Sequence, residues 1–148
     1  MNDLRRRAIA LLARREHSRT ELARKLAAHG TEEDIANVLC QLESEGLLSN
    51  VRAASAYVRA HGERFGAARL RQNLHARGLD TEMAAAAVGD LASELERARA
   101  VWARKFAAAP TDAREWARQA RFLQGRGFAV DVIRKVLKDV ANPDAVGE

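Results

Sequence analysis

At 148 residues, with 47% apolar and 30% charged side chains, the chain has the size of one domain and a globular composition, which excludes a disordered polymer. Its apolar content is thin, since alanine supplies 31 residues against 33 for Leu, Ile, Val and Phe together. The net charge of +5 is carried by 21 Arg and only 4 Lys, and planar guanidinium forks suit phosphate and carboxylate partners.

Alanine propagates helix but removes little apolar area from water, at roughly 25 cal/mol per Å², so slender helices around several small cores are expected. Val and aromatic residues never alternate over a strand's length, and no sheet is indicated. The opening MNDLRRRAIALLARREH offers six apolar residues before Arg14 and Arg15, too few for the apolar region of a signal peptide or a membrane span. Asp3 and the spacing of Leu4, Leu11 and Leu12 predict an ordinary first helix, and a cytoplasmic, membrane-free protein is expected. Ser18 or Thr20 then caps a second helix, TELARKLAAHG, and EEDIANVLCQLESEG forms a third. Cys40 is the single cysteine, which rules out an intramolecular disulfide and predicts a half-buried helix thiol in a reducing compartment.

The order then recurs. VRAASAYVRAHG, FGAARLRQNLHARG and TEMAAAAVGDL predict a second triplet of helices. ELERARAVWARKFAAA, DAREWARQARFLQGRG with Asp112 as cap, and VDVIRKVLKDV predict a third, ahead of a frayed tail, NPDAVGE. Aligning Gly30, Gly78 and Gly127 places Leu26, Leu74 and Leu123 four residues before the glycine and Asp34, Glu82 and Asp131 four after it. Ile35, Met83 and Val132 follow. Spacings of this kind mark a repeat: glycine in the left-handed conformation ends one helix and an acid opens the next at its positive dipole end. The expected fold is all-α, an elongated tandem array of three helix-turn-helix-like three-helix repeats, about nine helices in all. The repeats span residues 1–48, 49–90 and 91–141, with a disordered tail at 142–148.

Little of the chain suggests chemistry. His17, His29, His61 and His75 form no i, i+4 pair with one another or with Cys40, so no metal site is expected. Gly125-Arg126-Gly127 lacks the third glycine of a dinucleotide fingerprint and follows a helix, which makes it a helix end. Acids such as Glu32 and Glu33 belong to a helix's first turn. Neither an enzyme nor a cofactor is expected.

Surface charge remains. Arg114, Arg118 and Arg121, at i, i+4 and i+7, fall on one side of a helix that ends near Arg126. Arg64, Arg69, Arg71 and Arg77 occupy the corresponding region of the second triplet, where Arg64 and Arg71 are expected to share a face. Such rows track phosphates or an acidic groove, or else form a solvated face paired with neighbours such as Glu115. Trp102, Phe106, Trp116, Phe122 and Phe128 concentrate aromatics in the last third, mostly as core, with one or two free to anchor a partner. HSRTELARKL followed by EEDIANVLCQLESEGLL is also similar to the helix-turn-helix of winged-helix DNA-binding transcription regulators. That class needs a strand hairpin after GLL, where SNVRAASAYVRAHG reads as helix.

The combination of LLARREHSRTELARKL, ESEGLLSN with AYVRAH, FGAARLRQNLHARGLD and, most specifically, RFLQGRGFAVDVIRKVLK resembles the RecX family, bacterial regulators of the RecA recombinase, over about residues 4 to 140. The resemblance implies a protein that lodges in the helical groove of the RecA filament on DNA, limits filament growth, and lowers ATP hydrolysis, strand exchange and repressor cleavage. The implied partners are the RecA filament and, weakly and without sequence preference, DNA; a monomer is expected. Two stretches depart from the family's pattern. Ser49, Asn50 and Ala53 stand where an acidic pair and an aromatic residue are usual, with only Tyr57 kept of that group, and Gly66-Ala67 replaces a common Gly-Pro.

Overall fold

The computed structural model describes residues 3–142, so the tail expected at 142–148 lies, apart from Asn142, outside the described residues. Among the described residues there is no strand. The helices are α1 (Asp3–Arg14), α2 (Arg19–Leu26), α3 (Glu32–Ser44), α4 (Asn50–His61), α5 (Ala67–Ala76), α6 (Thr81–Gly89), α7 (Glu94–Lys105), α8 (Ala113–Gly125) and α9 (Val130–Ala141), with one 3-10 turn at Ala27–His29. Where a winged regulator would place its hairpin, α4 begins two residues after Leu48. The chain folds as two compact units, residues 3–57 with Asn73–Ala87 and Val58–Gln72 with residues 88–142.

In the first unit the starts of α2, α3 and α4 are chemically specified. Ser18 accepts the Glu21 N–H at 3.0 Å and Glu21 accepts the Ser18 N–H at 3.1 Å, a complete capping box. Thr31 caps α3 through the Asp34 N–H. The two unusual residues after Leu48 serve the same purpose. Ser49 accepts the Arg52 N–H at 3.2 Å, and the Asn50 side chain accepts the Arg19 N–H of α2 at 2.8 Å. Ile35, Val38, Leu39 and Leu42 form a stripe at i, i+3, i+4 and i+7 on α3 and pack with Leu4, Leu22, Leu26 and Leu48 into one core.

Two expectations need correction here. Gly30 is not left-handed: its φ of −174° is extended backbone that any residue adopts, and the 3-10 turn has already ended the helix. A Cβ there would press on the end of the Leu4 side chain, so glycine leaves room for Leu4 in the core. Cys40 is exposed, not half-buried, because it lies outside the α3 stripe; its sulfur is 3.6 Å from an Arg19 guanidinium nitrogen.

The second unit repeats the design with different caps. Ser93 accepts the Glu96 N–H of α7 at 3.1 Å, and Asp112, as expected, accepts the Glu115 N–H of α8 at 2.8 Å. Ile133, Val136, Leu137 and Val140 give α9 the spacing seen on α3 and pack against Ala98, Val101, Leu123 and Phe128. α9 has no side-chain cap of its own. Glu94 reaches the Ala129 N–H at its start and also the Ala67 N–H at the start of α5, both at 3.3 Å.

One joint is built twice, once in each unit. In the first, the start of α2 meets the end of α5: the Ser18 hydroxyl donates to the Arg77 carbonyl at 2.6 Å and Arg24 donates to the Ala76 carbonyl at 2.8 Å. In the second, the start of α5 meets the end of α8: the Gly66 N–H donates to the Arg126 carbonyl at 2.8 Å and Arg69 donates to the Gly125 carbonyl at 3.0 Å. These donors satisfy the carbonyls that a helix end leaves unpaired. The aligned glycines lie inside the joints. Gly78 (φ 81°) touches Thr20 and Gly127 (φ 93°) touches the Arg69 backbone, so both need the left-handed conformation and the missing Cβ.

Candidate basic interface

Within the second unit Arg99 and Arg118 pair with acids, whereas Arg64, Arg69 and Arg126 lie over aromatic rings. The segment before α5 carries Phe65, half-buried beside the joint, and three guanidiniums lie over its ring, those of Arg69 at 4.9 Å, Arg64 at 5.4 Å and Arg126 at 5.9 Å. Arg126, at the end of α8, also covers the Phe122 ring at 5.1 Å, and Lys105 at the end of α7 approaches that ring at 5.4 Å. Phe122 meets Phe106 edge to face, with centroids 5.4 Å apart, and Arg118 covers Phe106 at 5.1 Å. Cations and rings thus form one connected series from Arg118 through Phe106, Phe122, Arg126 and Phe65 to Arg69. Each such contact is worth about 0.5–1 kcal/mol at an exposed site.

The ladder's charges are unequal. Arg118 is consumed locally: it holds the Glu115 carboxylate through two hydrogen bonds at 2.7 and 2.9 Å. That grip, aided by Gln119, pulls the Glu115 pKa down to about 2. Among the described residues no ion pair engages Arg64, Arg69, Arg104, Lys105 or Arg126. Arg64 is steadied by the His61 ring nitrogen at 2.6 Å and Arg104 by the Glu63 carbonyl. Arg64, Arg104, Lys105 and Arg126 border a cleft of about 250 Å³ with Val101 and Phe122 in its wall.

Of the eight arginines singled out from the sequence, Arg64, Arg69, Arg118 and Arg126 meet in this ladder. Arg114 and Arg121 are exposed on α8, on the side away from buried Gln119 and Leu123, and share that side with Arg118. Arg71 is exposed on α5. The expected common face of Arg64 and Arg71 does not form, because α5 starts only at Ala67 and Arg64 precedes it. Arg77 belongs to the first unit, where it stacks on Tyr57 at 4.3 Å and lies 3.8 Å from Glu21. Sequence reasoning missed Arg104 and Lys105; the run Arg104-Lys105-Phe106 at a helix end was the available signal. Trp116 is 39% exposed, the one aromatic of the last third left at the surface to this degree among the described residues.

Comparison with known proteins gives a consistent result. A family model described as RecX, first three-helix domain, matches residues 5–41, and one described as RecX, third three-helix domain, matches residues 92–137. The regulatory protein RecX of Leptothrix cholodnii is 50% identical over 137 residues, covering 91% of this chain and 87% of the relative. That of Ralstonia nicotianae is 42% identical over 137 residues, covering 91% and 86%. The crystal structure of RecX from Lactobacillus salivarius superposes with a TM-score of 0.78 at 18% identity, covering 93% of this chain and 94% of that one, which shows the shared fold.

Proposed function

Because the chain belongs to the RecX family of regulatory proteins, we propose that it regulates the RecA recombinase, mainly as an inhibitor. It binds the groove of the RecA–DNA filament and restrains filament growth, ATP hydrolysis, strand exchange and repressor cleavage in DNA repair and the SOS response. The work is stoichiometric binding by a cytoplasmic monomer of three helical repeats, and no catalytic residue or cofactor takes part. The observation that carries this reading is the part of the ladder formed by Arg64, Arg69 and Arg126, cations that lie over rings and are not neutralised by acids among the described residues. An acidic protein groove or a phosphate backbone is its natural complement. Arg114 and Arg121 extend the positive surface along α8.

A transcription regulator using α2 and α3 is the competing idea, and the exposed surface of α3 argues against it. Glu32, Glu33 and Asp34 are exposed in its first turn, with no basic residue among Glu32–Ser44, and its one further acid, Glu43, pairs with Arg19 of α2. A recognition helix of this charge would be repelled by DNA phosphates. Co-sedimentation with RecA on single-stranded DNA, with and without a nucleotide analogue, tests the proposal. The protein is expected in the pellet only when filaments are present, together with a reduced DNA-dependent ATPase rate. Recovery in the supernatant and an unchanged rate would defeat the reading. Tight, sequence-selective duplex binding in a gel shift would favour the competitor.

A further inference from the structure

We propose that the cleft bordered by Arg64, Arg104, Lys105 and Arg126 is a site for the phosphodiester backbone of single-stranded DNA. The inference deepens the filament reading and rests on it, naming the strand as what the cleft touches. Three observations support the assignment. The first is charge density. Four cations converge on about 250 Å³ with no ion-paired acid among them. One carboxylate would leave most of that charge uncompensated, whereas each strand of DNA carries a negative charge about every 3.4 Å.

The second is donor geometry. Arg126 lies over two rings, Phe65 at 5.9 Å and Phe122 at 5.1 Å, and among the described residues its guanidinium makes no hydrogen bond to a protein acceptor. Such a fork is ready for two oxygens of one anion. Arg64 and Arg104 are each tethered through one nitrogen and retain other N–H groups, and exposed Lys105 adds a mobile point charge. The third is size. A helix about 10–12 Å across cannot enter the cleft, and a single strand can lay a phosphate in it.

The test is fluorescence anisotropy of a labelled single-stranded oligonucleotide with the full chain at several salt concentrations. The variants are Arg126→Ala with Lys105→Ala, Lys105→Ala alone, and Arg134→Ala as an exposed control on α9. The double variant is expected to bind at least tenfold more weakly at low salt. The slope of log affinity against log salt should become shallower by about 1.4, or about 0.7 per cation removed. Lys105→Ala alone should lose about half of that slope change and keeps the test available if Arg126→Ala unfolds; Arg134→Ala should match the parent.

Unchanged affinity and slope in folded variants would overturn the proposal. So would a glutamate-rich peptide that displaces the oligonucleotide at equal charge concentration, since the cleft would then be a carboxylate site for a protein partner. RecA ATPase inhibition measured on the same samples separates the two readings. If the variants lose DNA affinity while the parent fails to inhibit RecA, the site stands and the filament reading falls. If inhibition is lost with DNA affinity intact, the filament reading stands and this site falls.

Discussion

The Ser18 hydroxyl donates to the Arg77 carbonyl at 2.6 Å while accepting the Glu21 N–H at 3.0 Å, so one fully buried side chain both caps α2 and closes the end of α5. Ser18→Ala removes the cap and leaves a carbonyl without its donor. The expected loss is about 2–3 kcal/mol, from about 0.5–2 for the cap and about 1–3 for the stranded acceptor. Urea unfolding of the variant measures it; a loss below about 0.5 kcal/mol would mean the joint is not formed in solution.

Glycines outside and inside the joints should separate by cost. Gly46 (φ 77°) faces open space, so Gly46→Ala meets only the left-handed penalty of about 1–2 kcal/mol. Gly127→Ala meets the same penalty plus the Arg69 backbone. Thermal melts should place Gly127→Ala well below Gly46→Ala.

His17 makes the first unit sensitive to acid. It is buried, bonded to the Arg15 carbonyl at 3.0 Å and accepting from the Lys25 ammonium at 2.9 Å. Burial above all, reinforced by the charges of Arg15 and Lys25, lowers its pKa below the usual histidine value despite the Arg15 carbonyl. As pH falls through about 6.5 the unfolded chain takes up a proton that the folded chain resists, so stability declines by up to about 1.4 kcal/mol per pH unit. Burial works to raise the Glu21 pKa, but the hydrogen bonds from Arg15 and the Ser18 N–H and the charges of Arg15 and Arg77 outweigh it and hold it low. Its stabilisation is therefore present above the unfolded carboxylate value and is lost on further acidification. Chemical unfolding between pH 7 and 5 should show the histidine limb, and His17→Gln should flatten it.

Ala67→Pro should stabilise the chain by about 0.4–1 kcal/mol, since proline suits the first position of a helix and restricts the unfolded state. The N–H it removes makes only the 3.3 Å bond to Glu94, which keeps its bond to the Ala129 N–H. A lower melting temperature would show that the Glu94 bridge outweighs the gain.

On α8, Arg118→Glu with Arg121→Glu should weaken inhibition of the RecA ATPase by about tenfold, with the fold intact by circular dichroism. Arg118 is mostly exposed and tied only to its neighbour Glu115, a solvent-screened pair whose loss should cost little stability. Inhibition equal to the parent's would remove this face from the contact.

The helices were legible because their signals are local. Asp112 and Ser18 announce caps, and the stripes of α3 and α9 stand at helical spacing. The glycines were half legible. Gly78 and Gly127 are left-handed as the alignment required, but Gly30 answers to the Leu4 side chain, a contact no local pattern encodes. The ladder was the least visible part. Phe65 precedes α5, Lys105 ends α7 and Arg126 ends α8, and only tertiary packing brings those segments together. Counting along one helix therefore found the outward row of Arg114 and Arg121 and overlooked Arg104 and Lys105.

A cation that is held still is ordinarily held by an acid, and it gives up its field in the process. Around Phe65 the holding is done by neutral groups, the phenyl faces together with the Gly125 carbonyl for Arg69 and the His61 ring for Arg64, so placement and undiminished charge occur together. Ordering a long side chain at an interface costs about 0.5–1.5 kcal/mol, and folding has already met that cost for Arg64, Arg69 and Arg126. An incoming anion thus meets a surface whose receptors are set in advance, and their attraction for it weakens with salt instead of waiting on rearrangement.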